Sequence, residues 1–161
     1  DLGTGSGAIA LAVAHERPDA AVTATDVSAA ALAVAKRNAA RLGLRNLRSL
    51  EGSWFDPLAG SRFDVIASNP PYVAAGDPAL DPLAHEPRAA LVAATDGLAA
   101  IEAIVSAAPG HLEPGGWLIV EHGAAQGAAV RALFSAAGLA AVATRPHLAG
   151  HERATEGTLP R

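Results

Sequence analysis

Short apolar runs alternate with stretches in which apolar residues recur every three or four positions. That alternation predicts an α/β protein with a largely parallel sheet. "AVTATD" (residues 21–26) reads as a strand, and Ser28 then stands where a helix N-cap belongs. Leu32, Ala35, Ala39 and Leu42 follow at helical spacing until Gly43 stops the helix. "LRSLE" (47–51) is a short strand, and "FDVIAS" (63–68) is a stronger one. A second helix is expected to carry Leu98, Ile101, Val105 and Leu112 on one face, with "EPGGW" turning it into "WLIVEH" (117–122), a run apolar enough to lie inside a sheet. Val130, Leu133, Phe134 and Ala137 mark a third helix, ending at Gly138. Two further strands are expected near 140–145 and 154–159.

Composition narrows the picture. The 161 residues are enough for one domain with a real core, expected over 1–161. Half are hydrophobic, and much of that half is Ala, so the core is expected to pack by close approach of helices. The absence of Cys removes disulfides, thiolate metal sites and cysteine nucleophiles. A net charge of −4 argues against a broad basic face for nucleic acid. No apolar run approaches the ~18 residues of a membrane span, so a soluble, cytoplasmic protein is the expectation. There is no Met, and the sequence opens inside "DLGTGSG". A first strand largely truncated ahead of that motif is therefore expected.

That opening places an acid at a strand end, then three alternating glycines, then an apolar helix. Gly3, Gly5 and Gly7 allow a tight turn and close approach of a ligand to the main chain, and the helix N-terminus offers unpaired N–H groups to an anionic group. Asp26, at the end of the next strand, is suitably spaced to accept hydrogen bonds from ribose hydroxyls. Gly3-x-Gly5-x-x-Ala8 also satisfies a dinucleotide fingerprint, so the loop alone leaves a nicotinamide cofactor open.

Asn69-Pro70-Pro71-Tyr72 breaks the tie. In a parallel sheet, Ser68 and Asn69 emerge at the edge where the glycine loop and ligands lie. Prolines offer carbonyl acceptors and no N–H, so the segment is a rigid set of acceptors, the Asn69 side-chain oxygen and the Pro70 carbonyl, suited to the two hydrogens of an –NH2 group. Holding both hydrogens orients the nitrogen and favours a pyramidal over a conjugated geometry. The Tyr72 ring can stack on a planar amide or base and stabilise nearby positive charge. A sulfonium methyl donor held by the glycine loop fits this arrangement, and no strong general base is required.

"DLGTGSGAIALA", "TATDVS", "SNPPYV", "EPR…AL", "DGL", "PGGWLIVEHG" and "LAG" together resemble, in order and spacing, the release factor glutamine methyltransferase (HemK-like) family across essentially the whole chain. The resemblance implies a Rossmann-like class I methyltransferase: a doubly wound, mostly parallel sheet with an antiparallel C-terminal strand, using S-adenosylmethionine (AdoMet) to methylate the Gly-Gly-Gln glutamine amide of peptide chain release factors. Matched residue by residue, Gly3, Thr4, Gly5, Ser6 and Gly7 would hold the methionine part of AdoMet and Asp26 its ribose. Trp54 would lie against the adenine, with Asn69, Pro70, Pro71 and Tyr72 on the glutamine amide. No membrane and no direct nucleic-acid contact are implied. Two departures stand out: Ser53 occupies a position where the family usually has an acid, and the family's N-terminal helical domain, which docks the release factor, is expected to be missing. The Asn-Pro-Pro-Tyr motif is shared with N6-adenine methyltransferases, which are one rival; a non-catalytic AdoMet-binding domain and a nicotinamide oxidoreductase are the others.

The remaining candidates favour structural roles. Residues 73–95, with Pro78, Pro82 and Pro87, form a long connection expected to be a lid or substrate loop, on which Glu86 and Arg88 are equally suited to substrate and to solvent. His147, His151 and Glu152 lack a supporting second cluster and read as surface groups. Trp117 is expected in the core. Glu121 and His122 end its strand near the expected ligand edge, where a minor site role is open, and a buried, hydrogen-bonded pair is the favoured reading.

Overall fold

Residues 1–74, 92–93, 97–147 and 150–161 are described by the computed structural model, in two units, Asp1–Ser61 and Arg62–Arg161. The expected lid at 73–95, with Glu86 and Arg88, lies outside the described residues except for 73–74 and 92–93. In the first unit, the glycine loop leads into α1 (Ala8–Glu16), followed by β1 (Val22–Asp26), α2 (Ala29–Arg41) and β2 (Leu47–Glu51). β1 and β2 pair in parallel from Val22↔Leu47 to Asp26↔Glu51. Residues 1–4 run beside β1: Leu2 bridges Thr25 in parallel, Thr25 donates its N–H to Asp1 O, and Thr4 donates to Thr25 O.

Local chemistry accounts for the helix ends. Ser28 Oγ accepts the Ala31 N–H at 3.2 Å, and Gly43 leaves the helical path at φ 69°. Asn46 Nδ2 donates to the carbonyls of Ala14, Arg17 and Ala20, covering acceptors that the end of α1 leaves open. Ala10, Ala14, Ala24, Ala35 and Ala39 are all buried, as the Ala-rich composition predicts. A Cβ at Gly7 would meet Leu11 and Ala35 at 3.0–3.1 Å, which shows how closely α1 and α2 approach.

The second unit holds a four-stranded sheet of order β3 (Phe63–Ser68), β6 (Leu112–Glu121), β8 (Glu152–Thr158) and β7 (Ala140–Pro146). β3 and β6 are parallel, whereas β8 is antiparallel to both of its neighbours. Val73–Ala74 (β4) and Val92–Ala93 (β5) form a separate short parallel pair. Among the described residues of this unit there are two α-helices, α3 (Ala99–Ala107) and α4 (Gly127–Ala136). Their buried residues include Ile101, Ile104, Val105, Val130 and Phe134. Truncating a side chain such as Phe134 costs about 3–5 kcal/mol.

Three expectations need correction here. Leu112 belongs to β6 and not to a helix face, because α3 stops at Ala107 and the chain tightens into a 3-10 turn carrying Pro109, which lacks the N–H a continuing helix needs. β6 therefore starts at Leu112, five residues before the expected Trp117. The ladder tolerates Pro114-Gly115-Gly116 through a bulge between the pairs Phe63↔Leu112 and Val65↔Trp117. Trp117 is not core: it is 38% exposed, because strand alternation gives Leu118 and Val120 the inward face and leaves Trp117 and Ile119 on the other.

Candidate functional site

In the first unit, the loop conformation and the acid depend on each other. Gly3 sits at φ 68°, and a Cβ there would come within 2.9 Å of the Trp54 ring, so the indole packs directly on the loop backbone. Trp54 is itself held at φ 43°, and its carbonyl accepts the Thr25 hydroxyl at 3.0 Å. Gly5 faces open space, and its N–H donates to Asp26 Oδ2 at 2.8 Å. Asp26 Oδ1 accepts the Ser28 N–H, also at 2.8 Å. A carboxylate can accept about four hydrogen bonds, so Asp26 is oriented by the loop and still has capacity for hydroxyl donors.

Thr4 and Ser6 part company within the same loop. Thr4 is buried and its hydroxyl donates to Asp1 Oδ2 at 2.5 Å, so its side chain serves the loop itself. Ser6 is exposed, and its carbonyl accepts from Asn38 Nδ2 at 3.1 Å. Asp1 Oδ2 also takes the Ala10 N–H at 3.1 Å, whereas Asp1 Oδ1 is buried with no hydrogen-bond partner among the described residues. A buried carboxylate oxygen with unused acceptor capacity suits a cationic donor.

In the second unit, register assembles the other group. The pair Ser68↔Val120 puts Asn69 and Glu121, one residue further along each strand, at the same sheet edge. The antiparallel pair Glu121↔Ala154 brings Arg153 to that edge as well. Asn69 is exposed, Pro70 is fully buried and Tyr72 is half-buried, so the proline anchors a segment whose asparagine reaches solvent.

Three side chains converge on Tyr72. Its hydroxyl donates to Glu121 Oε1 at 3.0 Å and accepts from an Arg153 terminal nitrogen at 3.4 Å. The Arg153 guanidinium carbon lies 6.0 Å from the ring centroid, within cation–π range. Gln126 Nε2 donates to Tyr72 O at 3.2 Å, while Gln126 Oε1 accepts the Gly123 N–H at 2.8 Å. Burial first, then the charge and hydrogen bond of Glu121, push the Tyr72 phenol above its ordinary value, with Arg153 opposing them.

Glu121 and His122 are not a pair. His122 is fully buried; its Nδ1 faces the Gly123 carbonyl at 2.9 Å and its Nε2 faces Thr155 Oγ1 at 2.9 Å. A carbonyl can only accept, so Nδ1 is the donor in that hydrogen bond. Alternation explains the split, since neighbouring strand residues leave on opposite faces. The Tyr72 partners were not among the sequence candidates for that segment. Only the position of Glu121 at a strand end beside the expected ligand edge pointed to it. His147 and His151 are exposed, their rings meeting edge-on at 5.7 Å. Among the described residues, no group of three or more His, Cys, Asp or Glu could hold a metal ion.

The profile of the methyltransferase small domain family matches residues 1–144. A release factor glutamine methyltransferase of Xylella fastidiosa is 56% identical over 162 residues, covering 99% of this chain and 59% of the relative. That of Salmonella typhimurium is 51% identical over 159 residues, covering 98% and 57%. The chain thus spans less than two thirds of the length of these curated relatives. A solved methyltransferase from Pyrococcus furiosus matches with a TM-score of 0.73 at 21% identity, over 99% of this chain and 73% of that one, which shows a shared Rossmann-like fold. With well over half of its residues matched by the profile, this chain belongs to the methyltransferase small domain family.

Proposed function

We propose that this chain transfers a methyl group from AdoMet to the side-chain amide nitrogen of a glutamine, the one in the Gly-Gly-Gln segment of peptide chain release factors. The observation that carries this reading is Asn69-Pro70-Pro71-Tyr72 at the C-terminal end of the parallel strand β3, its asparagine exposed and its tyrosine held in place. The names of the relatives at 51–56% identity support the same reaction and substrate.

The residues of the first unit suit AdoMet. Gly3 to Gly7 bring main-chain groups within reach of its methionine part, Asp1 Oδ1 is an open acceptor for an ammonium, and Asp26 retains capacity for ribose hydroxyls. Trp54 offers a flat apolar surface for adenine. When bound, AdoMet supplies an electrophilic sulfonium methyl. The chain's own residues must then turn an amide into a nucleophile, since its nitrogen lone pair is delocalised. Asn69 Oδ1 and the Pro70 carbonyl accept the two amide hydrogens, orienting the nitrogen and favouring the pyramidal geometry in which the lone pair is available. Transfer would exchange the S–CH3 bond for an N–CH3 bond, leaving a neutral thioether, and one of the two amide hydrogens would depart as a proton to water, which reaches the exposed Asn69. The partner is a protein, the setting cytoplasmic, and neither membrane nor nucleic acid is needed. Among the described residues, no helix is long and apolar enough to cross a membrane.

Mass spectrometry of a release factor incubated with AdoMet and the protein, expressed from its complete reading frame, tests the reading. One methyl increment on the Gly-Gly-Gln peptide is expected. Methylation of an adenine-containing oligonucleotide in its place would overturn it.

A further inference from the structure

A tyrosine whose only task is to stack on a substrate needs a free face and little else. Tyr72 has far more. Its hydroxyl lies between a carboxylate from the end of β6 and a guanidinium from the start of β8, acting as donor to one and acceptor to the other. Its carbonyl is tied through Gln126, the residue at the start of α4, to the turn after β6. Both ends of the residue are therefore fixed by side chains from three elements of one sheet unit.

Arg153 makes this arrangement more pointed. Among the described residues, its Nε is buried with no hydrogen-bond partner. A buried guanidinium nitrogen with an unmet donor is unfavourable, so the bonding of that atom does not explain why Arg153 is kept there. Its relation to the Tyr72 ring and hydroxyl does.

We propose that Glu121, Arg153 and Gln126 are positioning residues that act through Tyr72 to hold the Asn69–Tyr72 segment in the geometry that receives an amide –NH2. The assignment rests on the methyl-transfer reading above. Asn69 is exposed, so the direction of its oxygen depends on the backbone that carries it. Pro70 and Pro71 stiffen that backbone, Pro70 is buried at one end, and Tyr72 is clamped at the other. Small displacements of such acceptors are costly in rate.

The test is a double-mutant cycle in the protein expressed from its complete reading frame, with methyl transfer to a release factor, AdoMet affinity and thermal midpoint all measured. Glu121→Ala should lower kcat/KM for the release factor about tenfold or more, with AdoMet affinity unchanged. Glu121→Gln should restore much of the loss, since its amide oxygen still accepts the hydroxyl. In a Tyr72→Phe background, Glu121→Ala should cost little further. Equal losses in both backgrounds, or full activity in a folded Glu121→Ala protein, would overturn the proposal. A second readout needs no turnover: the 13C resonance of the Tyr72 ring, assigned by its loss in Tyr72→Phe, followed against pH. Glu121→Gln should move this titration to lower pH and Arg153→Gln to higher pH. If the wild-type protein methylates no release factor, the substrate reading fails and this titration decides the brace: opposite shifts support it, and no shift from either variant refutes it.

Discussion

The main-chain N–H of Gly5 donates to Asp26 Oδ2 at 2.8 Å, across 21 residues of sequence, while the other oxygen of the same carboxylate holds the start of α2 through Ser28. A single side chain therefore sets the loop and is set by it. Asp26→Ala removes the acceptor proposed for ribose and, with it, the hydrogen bond that holds Gly5. AdoMet affinity should fall about ten- to hundredfold, the equivalent of one charge-assisted hydrogen bond, with a smaller effect on kcat at saturation. Calorimetry giving an unchanged dissociation constant would exclude Asp26 from the site.

Asn69→Ala removes one of the two acceptors assigned to the substrate amide and leaves every contact of the glycine loop in place. Methyl transfer to a release factor should drop about 10²–10³-fold while AdoMet binds normally. A variant that turns over at the wild-type rate would end the amide-holding mechanism.

Gly97 lies at φ 75°, and a Cβ there would collide with the Tyr72 carbonyl and crowd Gln126 Nε2. Gly97→Ala therefore combines a left-handed backbone with a backbone clash, at a cost of about 1–3 kcal/mol. The thermal midpoint should fall, and release factor methylation should fall further than stability alone explains, because the displaced atom belongs to Tyr72. An unchanged midpoint with full activity would show that the Tyr72 carbonyl can move freely.

The Tyr72 phenol titrates above its ordinary value of 10.0, chiefly through burial and then through Glu121. The folded state thus holds this proton more tightly than the unfolded state. The resulting stability is fully present below about pH 10 and is lost as pH rises through the folded value. Thermal melts in alkaline buffers should show this decline, and Glu121→Gln should make it shallower. A slope identical in wild type and variant would mean that Glu121 does not govern the titration.

Much of this was legible along the chain, because it rests on local rules. The Ser28 cap, the Gly43 and Gly138 stops and the strands over 47–51 and 63–68 follow from short-range chemistry and periodicity, and the structure has them. The glycine loop and Asn69-Pro70-Pro71-Tyr72 are contiguous motifs, visible along the chain without the fold, and Asp26 ends the strand that follows the first of them. What the chain could not disclose depends on register and on neighbours distant in sequence. The register shift between Phe63↔Leu112 and Val65↔Trp117 sets how β6 pairs, and strand alternation then sends Trp117 outward and Val120 inward. Tyr72 meets Glu121, Gln126 and Arg153 across 49, 54 and 81 residues. No local preference encodes those meetings. They exist because a parallel strand pair and an antiparallel one end at the same edge, which only the folded sheet decides.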